Sequence, residues 1–183
     1  MHIIIDGYNL IRQSDAFRRF EKVSLEEGRH ALLQSLSLYR KQTGHPVTVV
    51  FDAWESGSPE VERDRYGGVA VLYSRRGQTA DDLIKQMVQN RREEMVVVTS
   101  DRDIADFAFR RGATAISSPE FELRLQEAKT RSAQAGGGAS PGRPDRDDER
   151  EDREAMMPGT KKKGPSRRLS KKQRAIQSVF RKL

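Results

Sequence analysis

Residues 2–10 read HIIIDGYNL: three isoleucines run into an aspartate, followed by a glycine, Tyr8 and Asn9. An apolar, β-branched run with no polar alternation is how a strand covered on both faces looks, as in a parallel sheet. Asp6 stands at its C-terminal end. In an open α/β sheet that edge is where ligands bind, so the reading turns on what the other strands bring there.

PVTVVF (46–51), VAVLYS (69–74), MVVVTS (95–100) and ATAIS (113–117) share the character of the first run. Helical periods separate them. Leu25, Leu32, Leu36 and Tyr39 mark one apolar face, Leu83, Ile84, Met87 and Val88 a second, Ile104, Ala105 and Ala108 a third, and Phe121, Leu125 and Ala128 a fourth that opens at Ser118 and Pro119. Strand and helix in turn predict an α/β three-layer sandwich with a mostly parallel central sheet of about five strands. AWESGSPEVERDRYGG (53–68) has little periodicity and reads as a loop. Trp54 and Tyr66 within it read as packing residues.

Of the 183 residues, 33% are charged and 35% hydrophobic, which leaves room for one core and an appendage. There is no cysteine, so disulfides and thiolate metal sites are excluded. No apolar run is long enough for a signal peptide or a membrane span, and a cytoplasmic protein is expected. The net charge of +7 is uneven. Residues 1–128 hold 18 Lys/Arg against 20 Asp/Glu, whereas residues 159–183 hold ten Lys/Arg and no acid. Residues 129–158, rich in Gly, Pro and mixed charge, read as a disordered linker. The basic tail after it ends in a short helix over 170–183. Ser170 and Gln173 are spaced as a capping box there, and Leu169, Ile176, Phe180 and Leu183 recur at helical intervals. Such a helix is marginal alone and is expected to order on a partner.

With a parallel sheet, four aspartates fall on one rim. Asp6 ends the first strand, Asp52 the second, Asp101 follows MVVVTS, and Asp81 in QTADD (78–82) begins the helix after VAVLYS. Gathered carboxylates raise one another's pKa and destabilise the fold unless a cation compensates. Oxygen donors without Cys or suitably spaced His point to Mg²⁺ or Mn²⁺. Structural alternatives compete for single residues. Thr79 with Asp82, and Ser100 with Asp103, are spaced as capping boxes, and Asp6 before Gly7 fits an Asx turn. His2, His30 and His45 are scattered and carry no chemistry here.

DGYN after the first strand, FDA after the second, TAD at a helix start and TSDRD after the fourth strand together resemble the YacP-like NYN domain family of PIN-like nucleases over residues 1 to about 128. The resemblance implies a metal-dependent endoribonuclease, and one group of that branch is known for cutting mRNA on translating ribosomes. By motif, the catalytic and metal-site acids are Asp6, Asp81 and Asp101, with Asp103 and Asn9 close by and Thr79 and Ser100 in support. Asp52 matches the family's second-strand aspartate, and Asp82 stands where relatives often carry Glu. Gln78 departs from the family, whose members often have an acid there. The basic tail lies outside the resemblance.

The implied chemistry is phosphodiester hydrolysis assisted by Mg²⁺ or Mn²⁺, with no protein nucleophile. Arg12, Arg63, Arg65, Arg75 and Arg76 are candidates for RNA backbone contacts around the acidic rim. In the tail, Lys161, Lys162, Lys163, Arg167, Arg168, Lys171, Lys172 and Arg174 would attract RNA or a ribosome without regard to sequence. Two other classes compete. A receiver-type phosphotransfer domain also gathers aspartates at a sheet edge, but ATAISS lacks the lysine such a site uses. A non-catalytic RNA or ribosome adaptor would rely on the tail, with Gln78 as the mark of a decayed site.

Overall fold

The computed structural model describes residues 1–53, 58–90, 93–136 and 170–183. Trp54, the linker beyond residue 136, and Lys161, Lys162, Lys163, Arg167 and Arg168 lie outside the described residues. The elements run β1 (His2–Asp6), α1 (Gly7–Gln13), α2 (Asp15–Glu21), α3 (Leu25–Thr43), β2 (Val47–Phe51), β3 (Glu62–Tyr66), β4 (Val69–Tyr73), α4 (Ala80–Gln89), β5 (Met95–Val98), α5 (Arg102–Arg110), β6 (Thr114–Ile116), α6 (Ser118–Gly136) and α7 (Lys171–Phe180).

The sheet has six strands in the order β3-β4-β2-β1-β5-β6. All pairs are parallel except β3 with β4. The alternation within the apolar strands divides the core. Ile3, Ile5, Val49, Val96 and Val98 pack on one side with Leu32, Leu36 and Tyr39 of α3 and Phe121 and Leu125 of α6. Ile4, Val50 and Val97 pack on the other with Leu83, Ile84 and Val88 of α4 and Ile104 and Ala108 of α5. Helices on both faces make the expected three layers.

β3 is the strand that periodicity does not announce. ERDRY is charged, and four of its five residues are exposed. Among the described residues it pairs only with β4, where charges on an edge strand discourage pairing with another chain. Gly67 and Gly68 connect the two strands with φ of 54° and 86°, the two positive values that a two-residue hairpin of the type I′ kind requires. α1 and α2, equally unannounced, are each seven residues long.

The start of the expected linker is revised, and the expected tail helix forms. α6 continues eight residues past Ala128, and Gln42 of α3 steadies it by donating to Ala128 O at 2.6 Å and to Ser132 Oγ at 2.5 Å. α7 is capped by the Ser170–Gln173 box and packs on its own chain rather than awaiting a partner molecule. Val179, absent from the expected apolar face, is only 2% exposed, with Phe180 and Leu183 beside it on the core. Arg124 donates to Phe180 O at 3.2 Å, His45 Nε2 lies 2.9 Å from Lys182 O, and Lys182 pairs with Glu94 at 2.8 Å. Within the described residues no helix is long and apolar enough to cross a membrane.

Candidate active site at the carboxyl edge of the sheet

β1, β2 and β5 are adjacent or next-adjacent parallel strands, so their carboxyl ends open on one edge. Asp6, Asp52, Asp81 and Asp101 line a single concavity of about 210 Å³ there, together with Tyr8, Asn9, Arg12 and Gln13. Four segments remote in sequence thus meet as the aspartate pattern predicts.

Asp6 is 7% exposed. It caps α1 by accepting the Asn9 N–H at 3.2 Å, and it accepts the Thr99 hydroxyl at 3.2 Å through its other oxygen. Asp101 caps α5, accepting from the N–H groups of Asp103 at 2.7 Å and Ile104 at 3.2 Å. The structural and the rim roles therefore coincide in these two residues. Asp52 accepts the Ala80 N–H, which sets the start of α4. On α4, the next residue, Asp81, faces the concavity, while Thr79 and Asp82 form the reciprocal capping box beside it.

The close aspartates leave an electrostatic mark. Burial pushes the Asp6 carboxyl up to about 6, with Asp81 and Asp52 adding to the shift and the Asn9 N–H and Thr99 hydroxyl opposing it. The Asp81 carboxyl is also raised, first by burial and then by Asp101, Asp52 and Asp82, against the pull of Lys85.

Other expected site residues sit elsewhere. Asp103 is exposed and engages Lys85 at 2.5 Å, which holds its carboxyl below the usual range. The Ser100–Asp103 box does not form, because Asp101 takes the cap. Ser100 Oγ instead accepts the Ser118 N–H at 3.2 Å. Asn9 reaches the concavity, but its carboxamide oxygen accepts from Ser100 N–H at 2.9 Å and Ser118 Oγ at 2.8 Å. Thr79, Asp82 and Gln78 do not line the concavity. Gln78 is half-buried, and its Oε1 has no hydrogen-bond partner among the described residues. The start of α6 also shifts: Ser117, not Ser118, exchanges hydrogen bonds with Glu120 as a cap does.

Of the expected RNA-binding arginines among the described residues, only Arg12 lines the concavity. Its guanidinium lies 5.5 Å from the Tyr8 ring centroid. Arg63 and Arg65 are on exposed β3, and Arg75 and Arg76 are exposed in the turn between β4 and α4. Lys171, Lys172 and Arg174 are exposed on α7, where Lys172 pairs with Asp106 at 3.0 Å. Sequence reasoning missed Tyr8, Gln13, Thr99 and Arg29, whose guanidinium donates to Tyr8 OH at 3.0 Å. One signal was available: Asn9, Arg12 and Gln13 have the i, i+3, i+4 spacing of one helix face.

The donor set is oxygen-rich and mutually repulsive, as a divalent cation requires of its ligands. Among the described residues no three His, Cys, Asp or Glu side chains converge tightly enough to close a cage on one ion. The carboxylate oxygens are donors of the kind a hard divalent cation takes, with waters filling the positions they leave open.

A parallel α/β sheet with four aspartates at its carboxyl edge is the plan of a PIN-like nuclease domain, and the chain belongs to the YacP-like NYN domain family, matching it over residues 3–178. That match extends through most of α7, well past the limit of about residue 128 read from the motifs. Among known proteins, the chain is similar to the uncharacterized protein YacP of Bacillus subtilis strain 168, with 31% identity over 131 residues, 70% of this chain and 75% of that one. It also resembles the crystal structure of Rae1 (YacP) from Bacillus subtilis, at 28% identity and a TM-score of 0.63, over 74% of this chain and 79% of that one. A tryptophan-to-leucine mutant of the same Bacillus protein gives 29% identity and a TM-score of 0.62, over 73% and 80% of the respective chains.

Proposed function

We propose that this protein is a metal-dependent endoribonuclease that hydrolyses phosphodiester bonds in RNA at the Asp6–Asp52–Asp81–Asp101 concavity, in the cytoplasm. The observation that carries the reading is the meeting of four aspartates from four segments in one concavity, in a chain of a nuclease superfamily.

Asp6, Asp81 and Asp101, with Asp52 beside them, would hold Mg²⁺ or Mn²⁺. When bound, the cation offsets charge on the scissile phosphate and acidifies an attacking water. The chain's own part is positioning. Thr99 and the Asn9 N–H fix both Asp6 oxygens, the α5 N–H groups fix Asp101, and the Ala80 N–H fixes Asp52. Arg12, on the wall of the concavity and paired with Glu21 at 3.4 Å, would turn to a non-bridging phosphate oxygen. Arg63, Arg65, Arg75 and Arg76, exposed and outside the concavity, would take backbone phosphates farther along the strand. The tail cations are assigned to RNA, including RNA presented by a ribosome.

Cleavage of an end-labelled single-stranded RNA by the full chain tests this reading. Products are expected with Mg²⁺ or Mn²⁺, none with EDTA, and none from Asp81→Ala. An adaptor would leave the RNA whole under every condition while still binding it.

A further inference from the structure

Tyr8 lines the concavity beside the four aspartates, and Arg29 of α3, which does not line it, donates to the Tyr8 hydroxyl at 3.0 Å. A guanidinium has no acceptor, so the phenol oxygen accepts in this pair and keeps its own proton to give. No described residue takes that proton, neither an aspartate of the concavity nor any other. The ring is fixed by its neighbours, packing edge-on against Phe51 at 5.1 Å with the Arg12 guanidinium 5.5 Å from its centroid. Arg29 is half-buried, and no described carboxylate lies within ion-pair distance of it. Its guanidinium also lies 5.9 Å from the Tyr73 ring centroid. Burial pushes the Tyr73 phenol up and Arg29 pulls against it, with smaller upward pushes from Tyr8 and from Asp64 and Glu62 of β3. Drawing an unpaired cation out of water is costly, and a plain tie between α1 and α3 would be served by a neutral donor.

We propose that Tyr8 is a further catalytic residue, its hydroxyl donating to a non-bridging oxygen of the scissile phosphate, and that Arg29 is the positioning residue that holds the phenol oxygen and frees its proton for the substrate. The inference rests on the nuclease reading of the concavity and adds to it a donor that the aspartates cannot supply, since ionised carboxylates only accept. As water adds to phosphorus, charge grows on the non-bridging oxygens, and a donor set in place beforehand stabilises that charge without reorganising. Tyr8 meets this need because Arg29 and Phe51 fix it before substrate arrives. The guanidinium beside the phenol also polarises it, so its O–H is a stronger donor than a phenol in water. Arg12, next to the same ring, supplies the second donor to the phosphate. The buried charge of Arg29 thereby has a use at the site, although its side chain lies outside the concavity.

Steady-state cleavage of a labelled single-stranded RNA by the full chain, wild type and Tyr8→Phe, tests the hydroxyl alone, because Phe keeps the ring against Phe51. Rates are taken across Mn²⁺ concentrations, well below the unfolding temperature of each protein. In Tyr8→Phe, kcat is expected to fall about a hundredfold, with KM and the half-saturating Mn²⁺ concentration little changed. A wild-type kcat would overturn the proposal, and so would a loss that extra Mn²⁺ restores, which would assign the hydroxyl to the cation. Arg29→Gln is expected to lower kcat about tenfold, and Arg29→Lys to recover part of that loss. If Arg29 acts through Tyr8, the double variant Tyr8→Phe with Arg29→Gln is no slower than Tyr8→Phe alone, whereas additive losses would overturn the role given to Arg29. Metal-dependent cleavage by the wild type, abolished in Asp81→Ala, judges the nuclease reading separately. With that cleavage seen, a wild-type kcat in Tyr8→Phe removes this inference alone, whereas no cleavage by the wild type removes both.

Discussion

The carboxamide oxygen of Asn9 accepts the Ser100 backbone N–H at 2.9 Å, tying the first turns of α1 to the loop that presents Asp101. The same oxygen accepts the Ser118 hydroxyl at 2.8 Å, so one side chain joins the ends of β1, β5 and β6. Asn9→Ala leaves two donors without their partner and should cost about 1–3 kcal/mol. Chemical denaturation checks this, and cleavage should fall together with stability. A variant of wild-type stability that has lost only its turnover would instead put Asn9 in direct contact with substrate.

Gly7 is needed where it stands. A Cβ there would come within 2.3 Å of the Phe51 ring, and that ring is fully buried between Tyr8 and Tyr73. Gly7→Ala should destabilise the protein by about 1–3 kcal/mol through overpacking, measured as a lower denaturation midpoint. Adding Phe51→Leu should return part of the loss, and independent, additive effects of the two changes would contradict the contact.

Stability without metal should fall as pH rises through the acid range. The folded chain holds the Asp6 proton up to about 6 against an ordinary value of 3.8. Its favourable contribution is therefore complete below the unfolded value and lost as pH approaches 6, a change of about 3 kcal/mol. Thermal unfolding in EDTA across the range from acid to neutral pH checks the slope. Asp6→Asn should flatten it, and Mn²⁺ should raise the unfolding temperature most at the upper end, where the carboxylates are ionised. An unchanged slope in the variant would assign it to other groups.

Removal of residues 170–183 should act on folding before it acts on RNA. Burial of Val179 alone is worth about 2 kcal/mol, and Phe180 and Leu183 lie beside it. The truncated chain is expected to unfold at lower temperature and to bind a hydrophobic dye. A truncation of wild-type stability would mean that α7 is detachable.

What the sequence makes legible follows the strength of its physical signals. HIII, VTVVF and MVVV announce buried parallel strands because both faces are apolar, and the rim aspartates follow from the shared direction of those strands. ERDRY carries no such signal, since an edge strand facing solvent can be all charge, so only its Gly-Gly turn marks it. α1 is hidden because Asp6 both ends a strand and caps a helix, with no loop between to separate the patterns. Asp103 shows the opposite failure: its spacing from Ser100 is right for a box, but Asp101 is better placed for the cap and Lys85 takes the Asp103 carboxylate. The role of α7 was illegible because linear charge counting makes a tail of residues whose anchor, Val179, lies one position from the apolar series that periodicity picks out.

The most direct measurement is the rate of RNA cleavage against Mn²⁺ concentration, for the wild type and for Asp81→Asn, with folding of both checked by circular dichroism. The account predicts a saturable dependence on Mn²⁺ in the wild type, no products in EDTA, and a loss of about a hundredfold or more in the variant. Equal rates for the two proteins, or wild-type cleavage that persists in EDTA, would contradict it.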